Sequence, residues 1–395
     1  MAAARDFFIG LTLTVSAGVL GIASCALEDA ADAGATGGDV PLFTVDPLWP
    51  KPLPHPWILG SVVGVSVDSR DHVWIVHRPD TFDERTEINA AVDPPTASCC
   101  APAPPILEFD PDGNLVGSWG GPGEGYDWPQ SNHGITVDHL DNVWIGGNGQ
   151  DDSHILKFSR DGTFLAQFGS PGMRGGSHDP LNFWRVAKLA IDAGRDEVFV
   201  ADGYGNRRVA VLDATTGEMK RYWGAYGEPP DDGPLPPYDP DAPPVRQFRS
   251  PLHCAEVSRD GLVYACDRAG NRIQVFRTDG TFVREVFIEP RTLGSGSVWD
   301  IAFSPDEGQP FLYLADGLNR KIHVLDRETL EVLTRFGGGG RQPGQFYGVH
   351  SIATDSRGNI YTTETWEGKR LQKFSFRGYG APAADQGVVW PTSIP

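Results

Sequence analysis

Short apolar segments and polar turns alternate along most of the chain, and they do so as a repeating unit. The unit is seen in "NHGITVDHLDNVWIGG", "LHCAEVSRDGLVYACD" and "VHSIATDSRGNIYTTE", where an apolar segment ends in Asp or Ser, a polar turn follows, and a second apolar segment begins. Each unit continues through two further segments, as in "HILKFSRDGTFLAQFG". Alternation around such turns is typical of antiparallel hairpins. The pattern therefore predicts a four-stranded meander for each unit.

Six such units are present, and this number predicts the architecture. A lone meander cannot bury both of its faces, whereas radial repetition protects the sheet edges. We therefore expect an all-β fold, a six-bladed β-propeller over residues 41–380 with a tail at 381–395. The last unit has three strands, so the early segment "PLFTVDPL" is expected to supply its fourth strand and close the ring. The first strands are expected to begin near Gly60, Asn132, Phe183, Pro251, Val298 and Gly348.

Three histidines occupy one register of the repeat, in every second unit: His133, His253 and His350. The first strand of a propeller blade is innermost and lines the central channel. The three imidazoles are therefore expected to converge at one mouth of the channel, about 120° apart. Three neutral imidazoles with an open fourth position suit zinc, in the arrangement of catalytic sites. The alternative is three unrelated polar residues in the channel.

The charge of the chain limits its partners. The 395 residues carry 33 Lys and Arg against 52 Asp and Glu, a formal net charge of −19. Such a charge argues against binding to nucleic acid or to anionic membrane surfaces. We expect a monomer that acts on a small-molecule or peptide substrate.

The first 25 residues have the features of an export signal. Arg5 precedes the apolar run "FFIGLTLTVSAGVLGIAS", which ends in small residues. The sequence "IASC" resembles a bacterial lipoprotein signal with Cys25 as the lipidated residue. Cleavage after Ala26 and an uncleaved anchor are the alternatives. We expect an exported protein, periplasmic or extracellular, that touches the membrane only through this lipid, with residues 26–40 as a flexible tether.

Four further cysteines fit an oxidising compartment. Cys254 and Cys266 flank the turn "SRDG" and face each other across the hairpin if Ser258 pairs with Leu262, which would allow a disulfide. Cys254 is disfavoured as a metal ligand, because neighbouring residues along a strand point to opposite faces.

Two inserts interrupt the regular spacing, Pro79–Pro105 in the first blade and Ala225–Ser250 between the third and fourth blades. Cys99 and Cys100 lie in the first insert, and the sequence does not pair them. Both inserts open on the histidine face. Proline-rich segments serve as stiff linkers, and long loops over a channel mouth also form substrate walls.

The units "VADGYGNRRVAVLD", "ACDRAGNRIQVF" and "LADGLNRKIHVLD" resemble the NHL repeat family. Within it, Gly60 to Phe376 resembles the lyase domain of peptidylglycine α-amidating enzymes. The resemblance implies a six-bladed propeller that cleaves peptidyl-α-hydroxyglycine to a peptide amide and glyoxylate. It also implies a channel zinc, whose ligand motifs match "NHGI", "PLHC" and "VHSI" at His133, His253 and His350.

The resemblance further implies three catalytic residues: Arg78 in "IVHRPD", Tyr204 in "DGYGNRR" and Arg268 in "CDRAGNR". Each follows or ends a second strand, on the rim that the histidines face. There, arginines can hold a carboxylate or a developing oxyanion, and a tyrosine beside cationic groups can act as a general base. The alternatives are an outward salt bridge for Arg268 and a packed aromatic for Tyr204.

The chain departs from the amidating pattern at the family's calcium site. The resemblance implies calcium on the backbone carbonyls of Val65 and Ile135 and on a carboxylate after the third metal histidine. Ser351 stands at that carboxylate position, so calcium would need the charge of Asp300.

Two other departures affect a disulfide and the substrate. Gly205 replaces a family cysteine, which removes one disulfide, and no His-Met arrangement for copper is seen. The substrate is therefore open between peptidyl-α-hydroxyglycine, another N-(α-hydroxyalkyl) amide and an unrelated small acid. The competing hypotheses are a non-catalytic NHL binding module with a structural metal, and a lactonase-type hydrolase, which would use carboxylate and amide ligands with calcium.

Overall fold

The computed structural model describes residues 38–54, 56–87, 89, 92–94, 98–381 and 383–392. The first strands are β1 Val40–Asp46, β2 Trp57–Ile58, β3 Ser61–Val67, β4 Val73–Arg78, β5 Ala101–Pro102, β6 Ile106–Phe109, β7 Leu115–Trp119, β8 Asn132–Val137, β9 Val143–Gly147, β10 His154–Phe158, β11 Phe164–Gly169, β12 Lys188–Asp192, β13 Glu197–Asp202, β14 Arg208–Asp213 and β15 Met219–Trp223. The others are β16 Leu252–Val257, β17 Leu262–Asp267, β18 Arg272–Arg277, β19 Phe282–Phe287, β20 Asp300–Phe303, β21 Phe311–Asp316, β22 Lys321–Asp326, β23 Val332–Phe336, β24 Val349–Thr354, β25 Ile360–Glu364 and β26 Leu371–Gly380. Two short 3-10 turns, Ala225–Gly227 and Arg268–Gly270, complete the described elements.

Within these residues the strands form six four-stranded antiparallel sheets, which confirms the six-bladed propeller. The blades, from the innermost strand outwards, are β3-β4-β6-β7, β8-β9-β10-β11, β12-β13-β14-β15, β16-β17-β18-β19, β20-β21-β22-β23 and β24-β25-β26-β1. The ring closes as predicted, because β1 pairs with β26 from Val40↔Gly380 to Asp46↔Lys373. Blade six is therefore built from both ends of the described chain.

The innermost strands begin within two residues of the predicted positions in five blades, and blade three is the exception. Its first strand begins at Lys188 instead of near Phe183. The intervening residues bond to neighbouring loops: Trp184 donates its backbone N–H to Asp202, and Arg185 has a positive φ of 64°. That conformation is incompatible with an extended strand, so an apolar segment that resembles a strand in sequence is a rim loop.

The Asp that ends a first strand caps the following turn. The Asp138 carboxylate accepts the backbone N–H groups of Leu140 and Asn142 and, at 2.9 Å, the indole N–H of Trp144. This combination fixes the turn and anchors a fully buried aromatic ring six residues later. Equivalent bonds join Trp74 to Asp68 (3.0 Å) and Tyr361 to Asp355 (2.9 Å).

The core lies between neighbouring blades. Among the described residues, buried apolar side chains form six clusters, and each draws on two adjacent blades. Between blades three and four, for example, Phe199 and Val211 pack with Val263 and Phe276. Each blade thus supports its neighbours, and the innermost strands are held rigidly around the channel.

The inserts fold back on the rim. In the first insert β5 pairs in parallel with β2, and adjacent Cys99 and Cys100 are joined by a disulfide. In the second, the Arg249 guanidinium donates to the carbonyl of Pro236 at 2.7 Å. The predicted export signal and Cys25 lie outside the described residues. No helix in the described part of the chain is long and apolar enough to cross a bilayer.

A buried ion pair joins the second and third strands where the repeat reads "VAD…NRR". In blade three the Arg208 guanidinium donates to Asp202 at 2.9 Å, both side chains are fully buried, and Asn206 donates to the same carboxylate at 2.7 Å. Blade four repeats the pair with Arg272 and Asp267 at 2.8 Å. These pairs fix the loops that follow the second strands.

Arg208→Ala is expected to lower the free energy of unfolding by about 3–5 kcal/mol, because it leaves the Asp202 carboxylate buried without its partner. Urea unfolding followed by circular dichroism measures the change. Arg246→Ala, which breaks an exposed pair with Glu228, is the matched control and is expected to shift the midpoint little. Equal shifts for the two variants would contradict a structural role of the buried pair.

Candidate metal centre

The three histidine rings meet at one end of the channel. Their centroids are 5.1 Å apart for His133 and His253, 4.9 Å for His133 and His350, and 4.8 Å for His253 and His350. One ring nitrogen from each lies within 4.8 Å of the others, and all three side chains are buried. The structure therefore brings together the three residues that the repeat register singles out.

β-Bulges lie beside all three histidines. The pairing register shifts between His133 and Ile135, between Leu252 and Ala255, and between Val349 and Ser351 in the three histidine strands. The innermost strand of blade one has a similar shift without a histidine, whereas those of blades three and five pair regularly. An extra residue in one strand turns its side chain away from the regular alternation, and this is a common device beside functional sites.

Backbone carbonyls orient two of the rings. His133 donates from Nδ1 to the carbonyl of Ala187 at 2.6 Å, and His253 donates from Nδ1 to the carbonyl of Trp299 at 2.5 Å. A carbonyl can only accept, so Nε2 of both rings carries no proton when the rings are neutral. In His350 the Nδ1 atom is buried without a hydrogen-bond partner among the described residues.

The environment keeps the imidazoles neutral. Burial lowers the pKa of His133 well below its usual range, and the charge of Arg78 lowers it further. Burial, followed by the charge of Arg268, does the same to the pKa of His253. Burial and the neighbouring His253 lower the pKa of His350. Neutral imidazoles are the form that binds a metal ion, so the donor set fits a three-histidine metal site.

The Tyr204 hydroxyl lies at the centre of this group. It is 3.2 Å from Nε2 of His133 and 3.1 Å from Nε2 of His253. Arg268 donates from Nη1 to the same hydroxyl at 3.1 Å. The structure therefore brings Tyr204 and Arg268 to the histidines, on loops that begin directly after β13 and β17.

Arg268 points inward, and the alternative of an outward salt bridge does not apply. Its guanidinium lies 4.4 Å from the Trp299 ring centre and 5.5 Å from that of Tyr204. In the part of the chain that the structure describes it forms no ion pair, and its Nε atom is buried without a partner. A guanidinium with unused donors beside the metal ligands is available to bind an anionic group.

Arg78 lies on the same rim, at the end of β4. It donates from Nε to the carbonyl of Asn132 at 2.9 Å and from Nη2 to the side-chain oxygen of Asn148 at 2.6 Å. These bonds hold the guanidinium beside the strand that carries His133. Its charge lowers the pKa of His133.

Three further residues line this mouth that the sequence pattern did not predict: Arg185, Asn148 and Trp366. Arg185 donates to the backbone of Asn148 at 2.8 Å and lies 5.7 Å from the Tyr204 ring centre. Trp366 is 41% exposed and packs edge-on against Trp299 at 5.4 Å. The mouth is thus basic and aromatic in a protein whose net charge is −19.

The structure forms the disulfide between Cys254 and Cys266 that their positions allowed. Ser258 and Leu262 pair as the sequence prediction required. Because its sulfur is bonded, Cys254 is not a ligand in this arrangement.

Deeper in the channel the residues do not fit calcium. Val65 and Ile135 line a cavity of about 290 Å³ with Lys188, and the Lys188 ammonium lies 2.8 Å from Asp300. The charge that calcium would require from Asp300 is therefore already paired with a cation of the protein. Ser351 donates its hydroxyl to the same carboxylate at 2.5 Å.

Comparison with known proteins points to two kinds of relative. A peptidyl-alpha-hydroxyglycine alpha-amidating lyase 1 from Drosophila melanogaster is 26% identical over 351 residues, which is 82% of this chain and 58% of the relative. Human NHL repeat-containing protein 3 is 28% identical over 244 residues, 60% of this chain and 57% of the relative. This chain is a six-bladed propeller that resembles both the amidating lyases and the NHL repeat proteins.

The match covers less than three-fifths of either relative. No family model matches the chain. A solved structure of a protein of unknown function from Bacteroides thetaiotaomicron has a TM-score of 0.51 at 12% identity and covers 86% of this chain and 77% of its own. That likeness concerns the fold alone.

Proposed function

We propose that the protein is a zinc-dependent lyase of the amidating type, which cleaves an N-(α-hydroxyalkyl) amide such as peptidyl-α-hydroxyglycine to an amide and a glyoxylate-like product. The observation that carries the proposal is the position of the Tyr204 hydroxyl, in contact with His133, His253 and Arg268. A partly buried group that can transfer a proton therefore lies beside the three histidines and a cation. The amidating lyase among the relatives supports the same reaction class.

His133, His253 and His350 would hold the zinc. Their donor set is three neutral imidazoles, which is the usual set of a catalytic zinc site with an open position. Zinc bound there supplies a Lewis acid that polarises the substrate oxygens.

The two arginines bind the acidic end of the substrate. Arg268 has unused donors at the centre, and Arg78 is fixed on the opposite side by Asn132 and Asn148. A carboxylate between two fixed guanidinium groups is oriented by charge-assisted hydrogen bonds. This places the adjacent α-carbon and its hydroxyl near Tyr204.

Tyr204 acts as the general base. It removes the proton of the α-hydroxyl group, the oxygen electron pair forms the new C=O bond, and the C–N bond breaks with its electron pair on nitrogen. The phenol of Tyr204 then returns the proton to that nitrogen, which gives the amide and the aldehyde acid. Arg268 stabilises the phenolate of Tyr204 through the contact at 3.1 Å.

The setting of the reaction follows the expectations from the sequence. We place the protein outside the cytoplasm as a monomer, attached to a membrane through a lipid on Cys25 and without nucleic-acid partners. The net charge of −19 supports the absence of nucleic-acid partners. The disulfide between Cys254 and Cys266 supports an oxidising compartment outside the cytoplasm.

The test uses the purified protein and α-hydroxyhippurate, a small hydroxyglycine compound. Elemental analysis is expected to find about one zinc per chain, and chromatography is expected to find benzamide and glyoxylate in equal amounts. A protein loaded with zinc that leaves this compound and peptidyl-α-hydroxyglycines unchanged would reject the lyase assignment. It would favour a binding module in which the metal is structural.

A further inference from the structure

A buried lysine occupies the channel beneath the metal centre. The Lys188 ammonium lies 2.8 and 2.9 Å from the two carboxylate oxygens of Asp300 and 2.8 Å from the carboxylate of Glu256. The side chains of Lys188 and Asp300 are 11% and 1% exposed. The ammonium donates hydrogen bonds to both Asp300 oxygens, whereas Glu256 forms an ion pair with it but its Oε1 accepts no hydrogen bond among the described residues.

The ion cluster, defined as Lys188, Glu256, Asp300 and Ser351, connects four blades. Its members come from β12, β16, β20 and β24, the innermost strands of blades three to six. Ser351 donates its hydroxyl to Asp300 at 2.5 Å, and the backbone N–H of Ile352 donates to the same carboxylate at 3.1 Å. The cluster therefore links strands that belong to four different sheets.

Three members of the ion cluster, Lys188, Asp300 and Ser351, are next in sequence to a residue that orients or belongs to the histidine group. Lys188 follows Ala187, whose carbonyl accepts the hydrogen bond of His133. Asp300 follows Trp299, whose carbonyl accepts the hydrogen bond of His253. Ser351 directly follows His350. A displacement of the cluster would therefore be transmitted through one peptide unit to each of the three rings.

The positive charge of Lys188 in the ion cluster disfavours the binding of a divalent cation. Lys188 contributes one positive charge against two carboxylates, Glu256 and Asp300. Although burial opposes it, the charges of Asp300 and Glu256 raise the pKa of Lys188 above its ordinary value, so the ammonium persists at neutral pH. Calcium requires six to eight oxygen ligands, whereas both Asp300 oxygens here already accept hydrogen bonds from a cation of the protein and Glu256 is paired with the same cation.

We propose that Lys188 is a built-in substitute for a channel calcium ion: its ammonium holds the innermost strands together, makes the protein independent of calcium and positions the three metal histidines. The arrangement of Val65 and Ile135 around the same cavity then needs no bound ion. Lys188 is a positioning residue, since it touches neither the metal ligands nor the substrate site directly.

The wild-type protein provides the first test. Elemental analysis is expected to find no calcium, and the melting temperature is expected to be the same in calcium-free, zinc-containing buffer as in millimolar calcium. One bound calcium per chain, or a melting temperature that is lower in the calcium-free buffer, would overturn the proposal. Zinc is held constant and no turnover is measured, so this result is separable from the proposed function.

Lys188→Gln and Lys188→Ala provide the second test, because both remove the charge and leave Glu256 and Asp300 with a net negative site. Both variants are expected to be less stable than the wild type and to melt about 3 °C or more higher in millimolar calcium than in calcium-free buffer at the same zinc concentration, with no such response to magnesium. Their zinc affinity is expected to fall about 10-fold or more and to recover when calcium is added.

Lys157→Gln is the matched control, because Lys157 is a partly buried lysine of blade two that donates to Ala214 away from the channel. It is expected to show no calcium response. If the Lys188 variants fold and calcium changes neither their melting temperature nor their zinc affinity, the proposal that Lys188 replaces calcium is rejected. If neither Lys188 variant folds, the calcium content of the wild type and the effect of calcium on its melting temperature test the proposal.

Discussion

His253→Ala is expected to remove the bound zinc and to lower kcat/KM on α-hydroxyhippurate on the order of 10³-fold or more, while the far-UV circular dichroism spectrum stays nearly unchanged. The imidazole is one of the three proposed ligands, so its loss is expected to abolish the site. The fold does not depend on it, because the apolar clusters between blades lie outside the channel. Zinc analysis, steady-state kinetics and circular dichroism measure the three effects.

Chelation of the wild type is expected to give the same pattern, with activity lost and secondary structure kept. His178→Ala is the control, since His178 is exposed and bonds only to Tyr222 among the described residues. Unfolding of the whole protein on chelation would show that the metal is structural. Full activity of His253→Ala would reject the metal centre.

Tyr204→Phe is expected to lower turnover of α-hydroxyhippurate by about 10²-fold or more with little change in zinc content. The phenylalanine ring keeps the packing of the loop but lacks the hydroxyl that contacts His133, His253 and Arg268. Arg78→Ala is expected to be at least as damaging, because a fixed charge beside the developing oxyanion is lost. Kinetics and zinc analysis on each variant separate the two roles.

Tyr126→Phe controls for the loss of a phenol group elsewhere, because the Tyr126 hydroxyl donates only to the Gly121 carbonyl among the described contacts. It is expected to retain wild-type turnover. Tyr204→Phe with unaltered turnover would remove the general base from the mechanism and leave the metal role in place. A loss of zinc in Tyr204→Phe would instead show that the hydroxyl supports the metal.

The repeat allowed much of the fold to be predicted from the sequence. Hairpin periodicity and turn residues are local, and the six units and the closing strand β1 follow from them. The histidine positions follow as well, since one register of the repeat maps to one level of the channel. The three side chains therefore meet, although three blades lie along the chain between the blade of His133 and the blade of His350.

Pairings between blades were harder to predict. Lys188 and Asp300 stand at the same register of blades three and five, one residue after Ala187 and Trp299, and opposite charges at equal register were the available signal. Nothing local indicates that the two side chains meet across the channel. The segment before Lys188 misled for a similar reason: its apolar residues resemble a strand, but contacts with neighbouring loops fix a positive φ at Arg185.

The closure of blade six has a consequence for biogenesis. Because β1 is among the first strands made and its partner β26 is the last, the sheet that seals the ring cannot form until translation of the propeller is nearly complete. Until then β1 lacks its edge partner, and the clusters that depend on Phe43 are incomplete. Long-range pairing of this kind slows folding and exposes unpaired strand edges. Under the proposed export of an unfolded chain, the polypeptide would reach its final compartment before the two ends meet.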